Sequence, residues 1–285
     1  MIILVTGGAG YVASNLIKQL VKNKDNTIIS VDNYFTGTKD NHIPNVRYYN
    51  INTYDLDKFE WSIESIGIPD IVYHFGEYSR VRPSFKDIVY LFKSNVGGTV
   101  KVLELCRKWN AKIIYSASSS KFGGAENLSP YSSAKANMVQ LIKNYNDWFG
   151  LKYEIVYFYN VYGKNHIQDG DYATVIGIFE KRYKEQLPLC VFGDGKQSRH
   201  FTHIDDIVDG LLLITEHNKN KEWYLSADES YSVLDVAKMF SPDNIEMIPA
   251  VQGERYDSVQ VENDTKKVLN WKAKRKLKEY INEQK

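Results

Sequence analysis

Three residues in the middle of the chain have the types and the spacing of a proton-transfer site. Ser118 lies in a serine-rich run, and Tyr131 and Lys135 are four residues apart, which places both on one face of a helix. A free phenol has a pKa of about 10, so it is a useful base at neutral pH only where nearby positive charge favours the phenolate. Because a Tyr-x-x-x-Lys spacing also occurs in surface pairs of little consequence, its chemistry depends on the motifs around it. We predict that Tyr131, assisted by Lys135, takes a proton from a substrate hydroxyl whose oxygen Ser118 also holds.

A glycine-rich turn near the start of the chain predicts a dinucleotide site. The apolar run Ile2–Thr6 leads directly into the sequence GGAGYVA at residues 7–13, which is followed by a helical pattern. Gly7 allows a tight turn, and Gly10 allows the backbone to approach a pyrophosphate closely. A second apolar run ends in Asp32, whose carboxylate is placed to accept hydrogen bonds from the adenine ribose and to repel the extra phosphate of NADP. The sequence therefore predicts NAD as the cofactor.

Short β-branched runs alternate with helical patterns over the first half of the chain. This alternation predicts an α/β fold with a doubly wound parallel sheet. The predicted strands are Ile2–Thr6, Thr27–Asp32, Val46–Ile51, Asp70–Phe75, Ala111–Ser116 and Tyr153–Tyr159. We assign residues 1–163, with returning segments near 200–216, to this cofactor domain. Residues 164–285 are assigned mostly to a smaller mixed C-terminal substrate lobe with helices over 172–185 and from His203.

The composition favours a small-molecule ligand. The chain has 36 Lys and Arg against 35 Asp and Glu, so no global field attracts nucleic acid or an anionic membrane. Cys106 and Cys190 form no C-x-x-C pair, which argues against a disulfide scaffold and a cysteine-ligated metal. The basic residues 272–278 interleave with Trp271 and Leu277 at helical spacing, which favours a solvated amphipathic helix over nucleic-acid binding. The first apolar run is too short to span a bilayer and no basic leader precedes it, so we expect a cytoplasmic protein with no metal.

Taken together, the motifs resemble the NAD-dependent epimerase/dehydratase family of extended short-chain dehydrogenases, whose cofactor domain is a Rossmann fold. The resemblance covers nearly the whole chain. It is carried by residues 7–13, 32–37, 74–77, 95–99, 118–123, 131–135, 159–163, 192–195 and 199, together with Arg255.

The family resemblance implies roles for a set of site residues. Ser118, Tyr131 and Lys135 are the catalytic residues. The cofactor-binding residues are Gly7, Gly10, Tyr11, Val12, Asp32, Asn33, Asn50, Ile51, Phe75, Gly76, Asn95, Tyr131, Lys135 and Tyr159. The substrate-binding residues are Ser118, Ser119, Asn160, Phe192, Arg199 and Arg255. A planar guanidinium suits phosphate oxygens and an aromatic ring suits a base face, so these residue types fit a nucleotide diphosphate.

The residues after Ser118 favour one reaction within the family. Family dehydratases carry an Asp-Glu pair there and decarboxylases keep a glutamate, whereas this chain has Ser119 and Ser120. The resemblance therefore implies a nucleotide-sugar 4-epimerase of the UDP-glucose/UDP-galactose type, which oxidises carbon 4 and returns hydride to the opposite face. A nucleotide-sugar 4-dehydrogenase or 4-ketoreductase, and a non-catalytic NAD or nucleotide-sugar sensor, are alternatives. The family often forms homodimers through the helices that carry Asn95 and Tyr131, and we expect a homodimer here.

Two arginines distinguish one loop of this chain from the usual family sequence. Arg80 and Arg82 follow the segment 74–77, on the side that the resemblance gives to the nicotinamide. Two interpretations are open: contact with an anionic substrate, or exposure to water.

Overall fold

A parallel sheet of seven strands forms the centre of the fold. The computed structural model describes residues 1–122, 124, 127–250, 256–257 and 259–285. The strands are β1 (Ile2–Thr6), β2 (Thr27–Asp32), β3 (Val46–Asn50), β4 (Ile71–His74), β5 (Lys112–Ser118), β6 (Tyr153–Phe158), β7 (Val161–Tyr162), β8 (Leu189–Phe192), β9 (Ser198–His200), β10 (Thr202–His203), β11 (Lys221–Leu225), β12 (Ser230–Ser232) and β13 (Ile245–Ile248). The order in the main sheet is β11-β6-β5-β4-β1-β2-β3, and every pairing in it is parallel.

Helices cover both faces of this sheet, which confirms the doubly wound α/β prediction. They are α1 (Tyr11–Leu20), α2 (Glu60–Glu64), α3 (Ile88–Phe92), α4 (Gly98–Trp109), α5 (Pro130–Phe149), α6 (Val175–Lys184), α7 (Ile204–Thr215), α8 (Val233–Phe240), α9 (Thr265–Leu269) and α10 (Leu277–Gln284). Side chains alternate along each strand, so β1 directs Leu4 toward α4 and α5 and directs Ile3 and Val5 toward α1 and α7. The carboxyl ends of the central strands therefore meet at one edge, where the site forms.

A smaller lobe has its own apolar core. Side chains of α6, α8 and α10 pack there with β8, around Phe179, Val191 and Phe240. Three two-stranded sheets belong to this half of the chain: β7 with β10, β9 with β12, and β8 with β13. The lobe sits beside the carboxyl edge of the main sheet, because one cavity is lined by residues of both.

The bounds of the six predicted strands agree closely with the structure, but one strand of the main sheet was not predicted. The bounds of β1 and β2 are as predicted, and those of β3 to β6 differ by one or two residues at their ends. The strand β11 was not predicted, although it completes the main sheet from within the range assigned mostly to the lobe. Its sequence begins with two charged residues, Lys221 and Glu222. Its burial depends on a contact with a distant segment, in which the Trp223 indole donates to Glu154 at 2.6 Å.

The predicted N-terminal ends of two helices were wrong. The helix predicted from Tyr172 begins at Val175, because the Thr174 hydroxyl caps it by accepting from the Gly177 N–H at 3.0 Å. The amphipathic helix predicted over 272–278 begins only at Leu277, and Trp271 packs instead against the sheet. Among the residues that the structure describes, no helix combines the length and the apolar character that crossing a membrane requires.

Candidate active site

The glycine turn lies between β1 and α1 in a conformation that depends on glycine. Gly7 has a φ of +70°, and a Cβ placed on it would lie 2.7 Å from the Gly76 Cα. Its N–H donates to the Val31 carbonyl at 2.8 Å, and Gly10 occupies the N-cap of α1. None of the described side chains caps α1, so its first N–H groups are available to an anion such as a pyrophosphate.

Replacing Gly7 with Ala should destabilise the protein and empty the dinucleotide site. A left-handed conformation costs an L-residue about 1–2 kcal/mol, and the overlap with Gly76 adds to that cost. Gly150→Ala is the matched control, because Gly150 has the same φ of +70° and an added Cβ there meets nothing within 4 Å. Chemical unfolding and the dinucleotide content of the purified proteins measure the difference. Equal effects of the two substitutions would show that the close approach to Gly76 is unimportant.

Asp32 is the last residue of β2 and lies next to this turn. It lines the cavity between the main sheet and the lobe. One carboxylate oxygen accepts from the Ala9 N–H at 2.9 Å and the other from the Tyr34 N–H at 2.7 Å. Burial raises the pKa of this carboxyl, and the two backbone N–H groups act in the opposite direction. The carboxylate is thus fixed against the glycine turn, in the position that a ribose-binding acid requires.

The three predicted catalytic residues come from two neighbouring elements. Ser118 is the last residue of β5, and Tyr131 and Lys135 lie in the first turns of α5. That helix begins at Pro130, and the Ser129 hydroxyl caps it by accepting from the Ser132 N–H at 3.1 Å. All three catalytic candidates line the same cavity.

The Ser118 hydroxyl is oriented by its neighbour. Its oxygen accepts from the Ser120 N–H at 3.2 Å and from the Ser120 hydroxyl at 2.9 Å. Because both bonds use its lone pairs, the proton of Ser118 is available to donate to a ligand oxygen.

Lys135 is paired with a carboxylate that the sequence analysis did not assign. Its ammonium donates to Glu77 and to the Ser116 carbonyl, and it lies 4.7 Å from the centre of the Tyr115 ring. The Glu77 side chain is only 1% exposed and also accepts from the Thr99 hydroxyl at 2.8 Å and the Tyr115 hydroxyl at 3.1 Å. The lysine is therefore held in place by a buried counter-ion at the wall of the cavity.

A chain of hydrogen bonds connects this pair to β1. The Thr6 hydroxyl oxygen accepts from two backbone N–H groups, so its own proton points to His74 Nδ1 at 2.7 Å. His74 Nε2 then donates to the Thr99 hydroxyl at 2.9 Å, and Thr99 donates to Glu77. Burial lowers the pKa of His74 to about 4, so the imidazole is neutral at pH 7. The nearby charge thus resides on Glu77 and Lys135.

One cavity of about 770 Å³ between the sheet edge and the lobe brings most of the predicted site together. The predicted residues that line it are Gly7, Gly10, Tyr11, Val12, Asp32, Asn33, Ile51, Phe75, Gly76, Ser118, Ser119, Tyr131, Lys135, Tyr159, Asn160, Phe192 and Arg199. Its volume and its mixture of apolar and polar walls suit an elongated ligand together with a dinucleotide.

Three predicted residues are not among those that line it. Asn95 is fully buried, and its amide bonds at both ends to the Tyr78 backbone, at 2.7 and 2.9 Å, so in this structure it holds the loop after β4. Asn50 is exposed at the end of β3. Arg255 lies outside the described residues. No cluster of three or more potential metal ligands occurs in the part of the chain that the structure describes.

The fold and this site define a class of protein. A glycine turn and a ribose-binding acid on a parallel sheet, with Ser, Tyr and Lys in the adjoining cavity, are the features of an extended short-chain dehydrogenase/reductase. The glycine cradle that a Cβ would fill, together with Asp32, fits a dinucleotide.

Comparison with known proteins identifies the family. Residues 3–225 match the NAD dependent epimerase/dehydratase family, and the chain belongs to it. Its cofactor is NAD, and solved structures with this fold contain it. A protein of Methanocaldococcus jannaschii that carries the provisional name UDP-glucose 4-epimerase is 34% identical, over 98% of this chain and 95% of its own length.

Solved structures agree with the family assignment. UDP-glucose 4-epimerase from Thermotoga maritima with UDP-glucose superposes with a TM-score of 0.92 at 27% identity, over 99% of this chain and 96% of that one. UDP-glucuronic acid 4-epimerase from Bacillus cereus, in complex with UDP-glucuronic acid and NAD, gives 0.88 at 25% identity, over 99% and 97%. The similar proteins thus include enzymes named for a neutral sugar and for an acidic one.

Proposed function

We propose that this protein is an NAD-dependent nucleotide-sugar 4-epimerase acting on a UDP-sugar. The observation that carries the proposal is the cavity in which Ser118, Tyr131 and Lys135 meet the dinucleotide turn, while Ser119 and Ser120 stand where dehydratases and decarboxylases of the family need an acid. A site with Tyr131 beside Ser118, and with serines rather than acids at the two positions after Ser118, is suited to reversible oxidation of a single hydroxyl.

The chain's own residues then have distinct tasks. Tyr131 takes the proton of the sugar 4-hydroxyl and later returns it, and Ser118 donates its free proton to the same oxygen. Lys135 supplies positive charge beside the phenol. NAD held by the glycine turn and Asp32 would supply reversible hydride chemistry at carbon 4, so the reaction would have no net redox change.

The nucleotide would be held at the lobe side of the cavity. Asn160, Arg199 and Phe192 line it there, and the Asn160 amide also donates to the His200 carbonyl at 3.2 Å. We propose that Asn160 and Arg199 bind the diphosphate and that Phe192 lies against the base. We further propose a cytoplasmic homodimer that pairs through α4 and α5, where Trp148 and Phe149 are exposed.

The direct test is product analysis on the purified protein. Denaturation should release NAD, and UDP-glucose or another UDP-sugar should be converted to its 4-epimer, seen by NMR, without added reductant. Turnover only with stoichiometric NADH would identify a ketoreductase, and binding without turnover would identify a sensor. Either result would overturn the proposal.

Asp32 should determine the preference for NAD over NADP. Replacing Asp32 with Ala and Asn33 with Arg removes the carboxylate and adds a cation, so discrimination against NADP should fall by roughly tenfold or more, the size of one charge-assisted hydrogen bond. Titration of the apoprotein with both dinucleotides measures it. Asp40→Ala, which removes an exposed carboxylate from the same loop, is the control. Unchanged discrimination in the double variant would show that another group selects the cofactor.

A further inference from the structure

Arg80 is a partly buried cation in the cavity, and no carboxylate of the described residues pairs with it. It follows the Glu77 loop and lines the cavity. Its Nε donates to the Tyr172 carbonyl at 2.8 Å, and one terminal nitrogen donates to the Ser79 carbonyl at 3.0 Å. Both partners are neutral, and no carboxylate of the described residues lies within salt-bridge distance. Three of its five N–H donors therefore remain for a ligand.

The energetics favour an anion at this position. Burial lowers the pKa of Arg80, yet a guanidinium keeps its proton in proteins, so the charge persists. A partly buried charge that lacks a counter-ion is unfavourable, because it has lost some of its water and neutral carbonyls only partly replace that hydration. A carboxylate can accept two parallel N–H bonds from a guanidinium and supply the missing charge.

The neighbouring cations are already paired. Lys135 contacts Glu77, and Arg82 lies 3.6 Å from Asp171 and 5.4 Å from the centre of the Phe192 ring. Arg82 is also 54% exposed, so water solvates its charge. Arg80 therefore differs from Arg82 in two respects. It is less exposed, and it has no carboxylate partner among the described residues.

The position of Arg80 points to the sugar rather than to the nucleotide. Tyr131 packs in one cluster with Tyr78, and Val81 and Tyr172 pack against that cluster. The chain neighbours of Arg80 and its carbonyl partner Tyr172 therefore lie around the phenol. The groups proposed for the diphosphate and the base lie instead on β8, on β9 and after β6. An anion that contacts Arg80 would thus belong to the reacting end of the substrate.

We propose that Arg80 binds an acidic substituent of the sugar, so that the preferred substrates are nucleotide-linked uronates rather than neutral hexoses. This inference rests on the proposed function, because it assumes that the ligand is a nucleotide sugar. Family membership does not decide the matter, since similar proteins are named for both classes.

The test compares two ligands that differ only at carbon 6. Calorimetric titration of the NAD-loaded protein with UDP-glucose and UDP-glucuronic acid should show at least about tenfold tighter binding of the acid, as expected for one charge-assisted contact. In Arg80→Gln that preference should disappear, while the affinity for UDP-glucose changes by no more than about threefold. Arg82→Gln, the matched control from the same loop, should keep the wild-type ratio.

Every outcome has a defined meaning. Equal affinities in the wild type, or an equal loss for both ligands in Arg80→Gln, would overturn the inference, the second by assigning Arg80 to the shared diphosphate. If Arg80→Gln does not fold, Arg80→Lys keeps the charge but not the planar fork and should retain only part of the preference. A full wild-type ratio in that variant would overturn bidentate binding.

The titration and the NMR measurement distinguish a failure of this inference from a failure of the proposed function. If only the proposed function fails, the preference for the acid persists in the titration while NMR shows no 4-epimer. If neither ligand binds, both proposals fail.

Discussion

Tyr131→Phe should lower kcat by about 10²–10⁴-fold, the usual contribution of a positioned acid–base group. The substitution removes only the phenol oxygen, and none of the described residues hydrogen-bonds to that oxygen. The side chain is 9% exposed and packs against Leu91 and Tyr78, contacts that Phe preserves. We therefore expect the variant to keep its stability and its NAD while losing turnover. NMR rate measurements, chemical unfolding and analysis of released dinucleotide give the three values.

Tyr145→Phe provides the matched control on the same helix. Its hydroxyl donates to Glu104 at 2.8 Å and does not line the cavity. Removing that bond should cost about 1 kcal/mol of unfolding free energy and leave kcat unchanged. Tyr131→Phe should therefore lose turnover and keep its stability, whereas Tyr145→Phe should lose stability and keep its turnover. If Tyr131→Phe retains turnover within tenfold of the wild type, the base has been assigned to the wrong residue.

The parts of the site that the sequence could predict are those that depend on local geometry. The Gly7 turn, the acid at Asp32 and the Tyr131–Lys135 spacing each lie within one turn, strand end or helix, so their residue types indicate their positions directly. The bounds of β1 and β2 were predictable for the same reason, because both strands are short buried runs rich in β-branched residues.

The rest depends on contacts between distant segments. Glu77 was visible as an acidic residue after a buried strand, but its pairing with Lys135 joins residues 58 positions apart. Arg80 could equally have faced water, and only the Tyr172 carbonyl, 92 positions away, shows that the lobe covers it. The strand β11 escaped prediction because the residues of β6 that pair with it lie 67 positions earlier. Neither an ion pair nor a sheet edge is marked by a local residue pattern.

The second large effect concerns Lys135, whose loss should damage both turnover and stability. Lys135→Met keeps the length of the side chain but removes the ammonium, which leaves Glu77 buried and without its cation. Breaking a buried ion pair from one side typically costs about 3–5 kcal/mol of unfolding free energy. The variant should also lose most of its kcat, because the ammonium proposed to favour the Tyr131 phenolate has been removed.

A double variant separates the two roles. In Lys135→Met with Glu77→Gln the carboxylate is neutral, so most of the lost unfolding free energy should return, whereas kcat should stay low because the ammonium is still absent. Urea unfolding and NMR rates on the two single variants and the double variant complete the cycle. If the double variant is no more stable than Lys135→Met, the buried pair is not what stabilises this region. If it regains turnover, Lys135 contributes through structure alone, and the charge beside the phenol must come from another group, for which Arg80 in the same cavity is a candidate.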